Sequence, residues 1–394
     1  MKLKKRTDPK FVLIIIVLSQ FCCTSLWFAG NAVLNDLIYK FSLNDNSLGT
    51  LTSSVQLGFI TGTLLFAIFT VADRFAAQKV FFTCALLGAL CNAAIIFEGN
   101  NLWSILSLRY LTGFFLAGIY PVGMKIASDH FKNGLGKAMG FLVGALVLGT
   151  AFPYLLSSFT NSFPWKGVIA VTSIIAVFGG TIMLVVIPST NRLKSERLEL
   201  DAFINVFKNK NFRIPAIGYF GHMWELYAFW AFLPLILIAY KTSHPNISLN
   251  IPILCFLIIA IGALGCVLGG YISQKIGVKR TAFICLLMSC ACCLGLPFLI
   301  ATPSKSLFIG YLLFWGFMVV ADSPLFSTLV AQQAPVKVKG TALTIVNCIG
   351  FLITIGSIQL LSYLNYQFNT NLIYMILALG PIVGLIALLK KRNI

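Results

Sequence analysis

Gly270-Tyr271-Ile272-Ser273-Gln274-Lys275-Ile276-Gly277-Val278-Lys279-Arg280 joins two apolar runs, residues 249–272 and 281–301. The connection is short, and its basic side chains cluster around a glycine. Each flanking run, as a helix rising 1.5 Å per residue, crosses about 30 Å of hydrocarbon. A related connection, Asp73-Arg74-Phe75-Ala76-Ala77-Gln78-Lys79, stands between runs 47–71 and 80–98. Both have the order acid or amide, base, turn, base. The pattern predicts a membrane protein built from two similar halves.

Further apolar runs lie at 11–38, 102–126, 136–157, 167–188, 213–240, 306–331, 340–362 and 370–389, which makes twelve spans in all. The composition agrees: 58% of the 394 residues are hydrophobic and 10% charged, against about 25% charged in a soluble domain. Residues 11–37 are too long for a signal-peptide core and lack a small-residue cleavage site, so they are expected to remain as the first span. The eleven cysteines all fall in apolar runs and read as packing residues. Cys290, Cys292 and Cys293 lack the histidines or loop of a zinc site, and no metal or cofactor is expected.

A net charge of +18 would suggest nucleic acid in a soluble protein, but there is no basic face with interleaved aromatics. The charge sorts by loop instead. With the N-terminus inside, 23 of the 29 lysines and arginines fall on the inner side, while Lys40, Lys166, Lys241 and Lys305 fall outside. Arg109 and Lys125 lie within a span. This asymmetry predicts an even number of crossings with both termini in the cytoplasm, and a bacterial inner membrane as the location. The longest inner segment divides the chain into an N-terminal six-helix bundle (1–188), a cytoplasmic linker (189–212) and a C-terminal six-helix bundle (213–394). The linker's charge pattern suits an amphipathic surface helix or a plain tether.

The repeated connections resemble the signature loop of the major facilitator superfamily, Gly-x-x-x-Asp-Arg-x-Gly-Arg-Lys. The second copy keeps Gly270, Lys275, Gly277, Lys279 and Arg280 but has Gln274 for the acid. The first keeps Asp73, Arg74 and Lys79, with Phe69 and Ala76 in place of glycines. Arg109-Tyr110-Leu111-Thr112-Gly113 resembles the family's arginine-bearing fourth-helix motif. Gly136, Gly140, Gly144 and Gly149 resemble its glycine-rich fifth helix, with Ala145 where a proline usually follows. Gly262, Gly265, Gly269 and Gly270 form a similar row in the eighth span, and both rows are expected to pack against neighbours.

The resemblance implies an all-α fold of twelve transmembrane helices in two pseudo-symmetric bundles. It also implies a cytoplasmic latch between them made by Asp73, Arg74, Lys79, Gln274, Lys275, Lys279 and Arg280. The competing reading is that these bases only anchor topology. For Arg109 it implies a part in proton coupling.

Charges inside a span cost at least ~2.5 kcal/mol each and are expected to face the protein interior. Glu225 and Asp322 fall in the seventh and tenth spans. His222 lies three residues before Glu225, on the same helix face. Buried carboxylates and histidines are suited to exchanging protons. Glu225, His222, Asp322 and Arg109 are therefore the coupling candidates, against a reading as fixed structural pairs. Pro324 is expected to kink the helix beside Asp322, and Pro121 and Pro153 read as kinks too. Lys125 and Asp129 read as an i,i+4 pair. Trp27, Asn31, Gln56, Tyr120, Trp230 and Asn347 are the substrate-cavity candidates.

No nucleotide-binding loop of the form Gly-x-x-x-x-Gly-Lys-[Ser/Thr] occurs. No histidine cluster or paired catalytic carboxylates point to an enzyme. The expected function is a secondary active transporter, a symporter or antiporter. It would act as a monomer in the lipid bilayer and move a small solute by alternating access with proton coupling. The alternatives are an intramembrane enzyme or lipid-handling protein, or a non-transporting receptor of the same fold. Alkaline phosphatase fused after Gly99 or Pro303 is expected to be active and, fused after Lys275 or Lys339, inactive. The reverse pattern would overturn the orientation.

Overall fold

The computed structural model describes residues 9–43, 47–131, 135–159, 164–188, 206–335, 339–368 and 370–389. Residues 189–205, most of the expected linker, lie outside the described residues. So do Lys2, Lys4, Lys5, Arg6, Lys132, Arg192, Lys194, Arg197, Lys337, Lys390, Lys391 and Arg392. Chain contacts divide the protein into two compact units, Met1–Leu198 and Glu199–Ile394. The division falls inside segment 189–212.

Among the described residues, eleven helices are long and apolar enough to cross a membrane. The protein is an all-α integral membrane protein. Large apolar side chains such as Ile14, Phe178, Leu264, Phe298 and Leu352 are exposed, while Gln20, Gln56, Arg109, Glu225 and Asp322 are buried. Such a surface would aggregate in water but suits lipid.

The first span departs from expectation. It is α1 (Pro9–Thr24), α2 (Ala29–Ala32) and α3 (Leu34–Phe41), interrupted at residues 25–28. Ser25 Oγ donates to the Cys22 carbonyl at 2.7 Å, and Thr24 Oγ1 to that of Gln20 at 2.8 Å. These local hydroxyl bonds compete with the helical ladder.

The rest of the first unit is α4 (Ser47–Ile68), α5 (Val71–Arg74), α6 (Ala77–Ala93), α7 (Leu102–Leu116), α8 (Tyr120–His130), α9 (Leu135–Ser157) and α10 (Trp165–Val186). The second unit holds α11 (Lys210–Ser243), α12 (Ile251–Ile276), α13 (Val278–Ile300), α14 (Lys305–Ala321), α15 (Ser323–Gln333) and α16 (Lys339–Gln367). A 3₁₀ segment (Asn371–Ala378) leads into α17 (Leu379–Leu389).

The fourth span of each unit breaks just ahead of a proline. Between α7 and α8, Gly118 and Ile119 donate three residues back, to Phe115 and Leu116. Pro121 enters the first turn of α8, as Pro324 enters that of α15. A missing N–H is tolerated there, because first-turn donors have no intrahelical partner. Pro153, expected to kink its span, sits inside the unbroken α9.

Both units pack by one plan. In the first, α4 lies on α7, α6 on α10, and α1 on α9 and α10. In the second, α12 lies on α14, α13 on the 3₁₀ segment of the last span, and α11 on α16 and α17. The α4–α7 and α12–α14 pairs meet backbone to backbone. A Cβ on Gly58 would strike the Tyr110 carbonyl, and one on Gly113 that of Val55. In the second unit, a Cβ on Gly265 would strike the Phe317 carbonyl, and one on Gly316 that of Ile258. Small residues let the helices approach closely and gain dispersion contacts. Gly149 likewise seats α9 against Phe21 and Thr24. Gly270, expected in the eighth-span row, instead faces open space, while its neighbour Gly269 meets the Ala321 carbonyl.

Two of the four bases assigned outside, Lys40 and Lys166, converge on Glu98 at 3.8 and 3.2 Å. The Lys166 hydrogen bond and the two ammonium charges hold the Glu98 carboxyl below its usual range. The site is exposed, so it adds little stability.

Gly113→Val and Gly316→Val should each destabilise their unit by about 1–3 kcal/mol or more through overpacking. A lowered melting temperature of the detergent-purified protein would show this. Gly310→Val and Gly356→Val, where a Cβ meets nothing, should leave it unchanged.

Candidate functional site

Arg109 is buried in the first unit at 1% exposure. One guanidinium nitrogen donates to the Leu26 carbonyl at 3.1 Å and to Asn92 Oδ1 at 3.2 Å, and the other donates to the Trp27 carbonyl. Both carbonyls belong to the interruption after α1, so the side chain caps a helix end broken inside the membrane. Asn92 extends the contact to α10 through Ile169, Thr172 and Ser173. Gly30 leaves room for the guanidinium, because a Cβ there would lie 3.3 Å from Nε. Among the described residues no carboxylate pairs with Arg109.

In the second unit the coupling candidates separate into two sites. Glu225 is fully partnered: Trp315 Nε1 donates to one oxygen at 2.6 Å and Ser289 Oγ to the other at 2.9 Å. Trp315 is itself fixed by stacking on Phe229, with ring centroids 4.1 Å apart. His222 shares the α11 face with Glu225 but turns to Asp322, with Nδ1 2.8 Å from Oδ1 and both side chains buried. That pair is close but incomplete. His222 Nε2 and both Asp322 oxygens lack a hydrogen bond of good geometry. Asp322 sits at the break between α14 and α15, and Tyr219 and Phe326 flank the imidazole at about 6 Å.

The cavity candidates are mostly committed to packing. Trp27 is buried against Phe59, Asn31 donates to Thr52 Oγ1 at 2.7 Å, and Trp230 is buried edge-on to Tyr227. Asn347 accepts from Tyr219 at 2.8 Å, and Tyr120 is half-buried. Gln56 differs: it is fully buried and its amide has no hydrogen-bond partner. Gln20 shares that property and was not anticipated, though a lone amide in an apolar run is the signal that flags it. Asn92, Ser289 and Trp315 were also missed. Their partners lie 17 to 90 residues away, beyond any local spacing rule. The eleven cysteines are free thiols, ten of them buried.

Residues 16–358 match the family model described as Major Facilitator Superfamily. The chain belongs to the major facilitator superfamily. Two solved superfamily structures share its fold. The nucleoside transporter NupG superposes with a TM-score of 0.73 at 17% identity, covering 97% of this chain and 100% of that one. A bacterial homolog of the human lysosomal transporter Spinster gives 0.68 at 15%, covering 96% and 94%.

Among curated relatives, the niacin transporter NiaP of Acinetobacter baylyi is 31% identical over 35% of this chain and 36% of its own length. The sphingosine-1-phosphate transporter SPNS2 of Xenopus tropicalis is 22% identical over 56% and 44%. An uncharacterized transporter of Buchnera aphidicola (strain Sg) is 22% identical over 52% and 50%. The chain spans half or less of the length of these curated relatives. They and the solved neighbours are transporters, not enzymes.

The superfamily loop has a definite local geometry here. Asp73 forms an ion pair with Lys125 at the end of the fourth span, within its own unit. The i,i+4 reading of Lys125 with Asp129 considered only its own helix and missed this partner. Arg74, Lys79, Gln274, Lys275 and Arg280 are exposed and Lys279 half-buried.

Arg109→Met should destabilise the protein by about 3–5 kcal/mol, since it strips partners from buried backbone carbonyls and an amide. Arg109→Lys should rescue it poorly, because an ammonium cannot fork across two successive carbonyls. Fluorescence-detected size-exclusion chromatography after heating reads both outcomes.

Proposed function

We propose that this protein is a secondary active transporter, moving a small solute by alternating access coupled to protons. The observation that carries the reading is the buried His222–Asp322 pair. Imidazole is the side chain whose charge ordinarily changes in the physiological range, and here it touches a carboxylate with unfilled hydrogen-bonding capacity. A proton gained or lost by the pair changes the charge beside a helix break, where a span has least internal resistance to bending. A broken helix near a polar site is also a recurring element of transporter binding sites.

Glu225 takes a different role in this reading. Its two donors satisfy it as a fixed acceptor that positions α13 and α14 against α11. Arg109 is likewise an anchor, with carbonyls rather than an acid as partners. The Asp73–Lys125 pair holds the first signature loop in place, ready for the latch that the family pattern implies. The relatives that carry niacin, sphingosine-1-phosphate or nucleosides support a small organic solute. The loop asymmetry supports cytoplasmic termini in a bacterial inner membrane.

The test begins with a thermal-shift screen of aromatic carboxylates, nucleosides and lysophospholipids on the purified protein. Counterflow of a stabilising compound is then measured in proteoliposomes. Wild type should show counterflow and pH-driven accumulation. Asp322→Asn and His222→Gln should keep counterflow and lose pH-driven accumulation, while Glu225→Gln should keep the pH response with lower thermal stability. Retained accumulation in both pair variants would remove the coupling assignment. Absence of counterflow by a stabilising compound would remove the transporter reading.

A further inference from the structure

The α12–α13 turn borders a recess of about 590 Å³ in the second unit. Lys279, Arg280 and Gln332 line it together with the apolar Phe283, Leu329 and Leu389, and among the described residues no acid lines it. Its position is set by helix ends: α12 stops at Ile276, Gln332 is next to last in α15, and Leu389 ends α17. Apolar spans end at this level, so the recess lies where span length places the edge of the hydrocarbon. The walls offer a surface for acyl chain and the rim offers positive charge.

The backbone adds to that charge. Gly277 turns the chain with φ +91°, and no side chain caps α13. The helical ladder of α13 resumes when Thr281 donates to the Gly277 carbonyl at 3.1 Å. The N–H groups of the first turn precede it and have no partner within the helix. They place the positive end of a 23-residue helix beside two basic side chains, an arrangement that favours phosphate. A free anion would use the rim and leave the apolar walls wet. An amphiphile fills both.

We propose that this recess binds the phosphate headgroup of an anionic phospholipid, with Lys279, Arg280 and the α13 N-terminus at the phosphate and Phe283 and Leu329 along the upper acyl chain. This role for Lys279 and Arg280 lies within their own unit, apart from the latch that the family resemblance suggests. The assignment does not depend on the solute or on proton coupling.

Native mass spectrometry of the full chain, stripped of lipid and offered equal phosphatidylglycerol and phosphatidylcholine, tests it. Phosphatidylglycerol adducts should dominate. Lys279→Gln and Arg280→Gln should each weaken them about five-fold, near the contribution of one basic residue at an anionic surface. Gln332→Glu, which alters the rim from another helix, should weaken phosphatidylglycerol and spare phosphatidylcholine. Lys210→Gln, an exposed base away from the recess, should change neither. Excess inorganic phosphate should fail to displace the lipid. Equal binding of the two lipids, an unaltered preference in the Lys279, Arg280 and Gln332 variants, or an equal loss in Lys210→Gln would overturn the site. Full displacement by phosphate would make it a free-anion site and overturn the lipid assignment.

Discussion

The guanidinium of Arg109 on the carbonyls of Leu26 and Trp27 is the contact around which the first unit is organised. Hydrocarbon offers no water to a freed carbonyl, so a helix can be interrupted there only if the protein supplies the donors. Arg109 supplies them from α7, and Asn92 carries the network through α6 into α10. Four helices are tied to one buried cation. Its charge is balanced by backbone dipoles and an amide, the kind of environment that lets a charge persist away from lipid.

The second unit repeats the packing plan but inverts the polarity of its interior. Where the first buries Arg109 with no carboxylate partner among the described residues, the second buries Glu225 and Asp322, with His222 turned to Asp322 rather than Glu225. The acids are not equivalent. Glu225 is closed off by Trp315 and Ser289, whereas the His222–Asp322 pair keeps unfilled donor and acceptor positions. Repetition therefore governs the backbone (helix pairing, glycine contacts, proline-marked breaks), and the buried charges are where the two halves diverge.

Much of the architecture is legible in the chain because lipid imposes it locally. Span length, loop charge and small-residue spacing are each set by residues close in sequence, and the apolar runs, the close approach of α12 to α14 at Gly262, Gly265 and Gly269, and that of α9 to α1 at Gly149 follow; the backbone contact of α4 with α7 at Gly58 and Gly113 was not foreseen. The interruption of the first span was not legible: residues 25–28 are apolar or small, and the side chain that stabilises the break comes from Arg109. For the same reason Lys125 was assigned to Asp129, one turn away, when its partner is Asp73. Glu225 and Asp322 announce themselves as acids in apolar runs. Which of them is satisfied depends on Ser289 and Trp315, whose proximity only the fold creates.

The interruptions at 25–28, 117–119 and 322 invert the usual mechanics of a helix. A regular span is stiffest at its midpoint and frays at its ends. In the first, fourth and tenth spans the hydrogen-bond ladder lapses well inside, while the outer turns stay continuous. Each of these spans is thus a series of short rods, two in the fourth and tenth and three in the first, joined by soft joints and able to change its bend without unwinding at the membrane surface, where its connecting loops are attached.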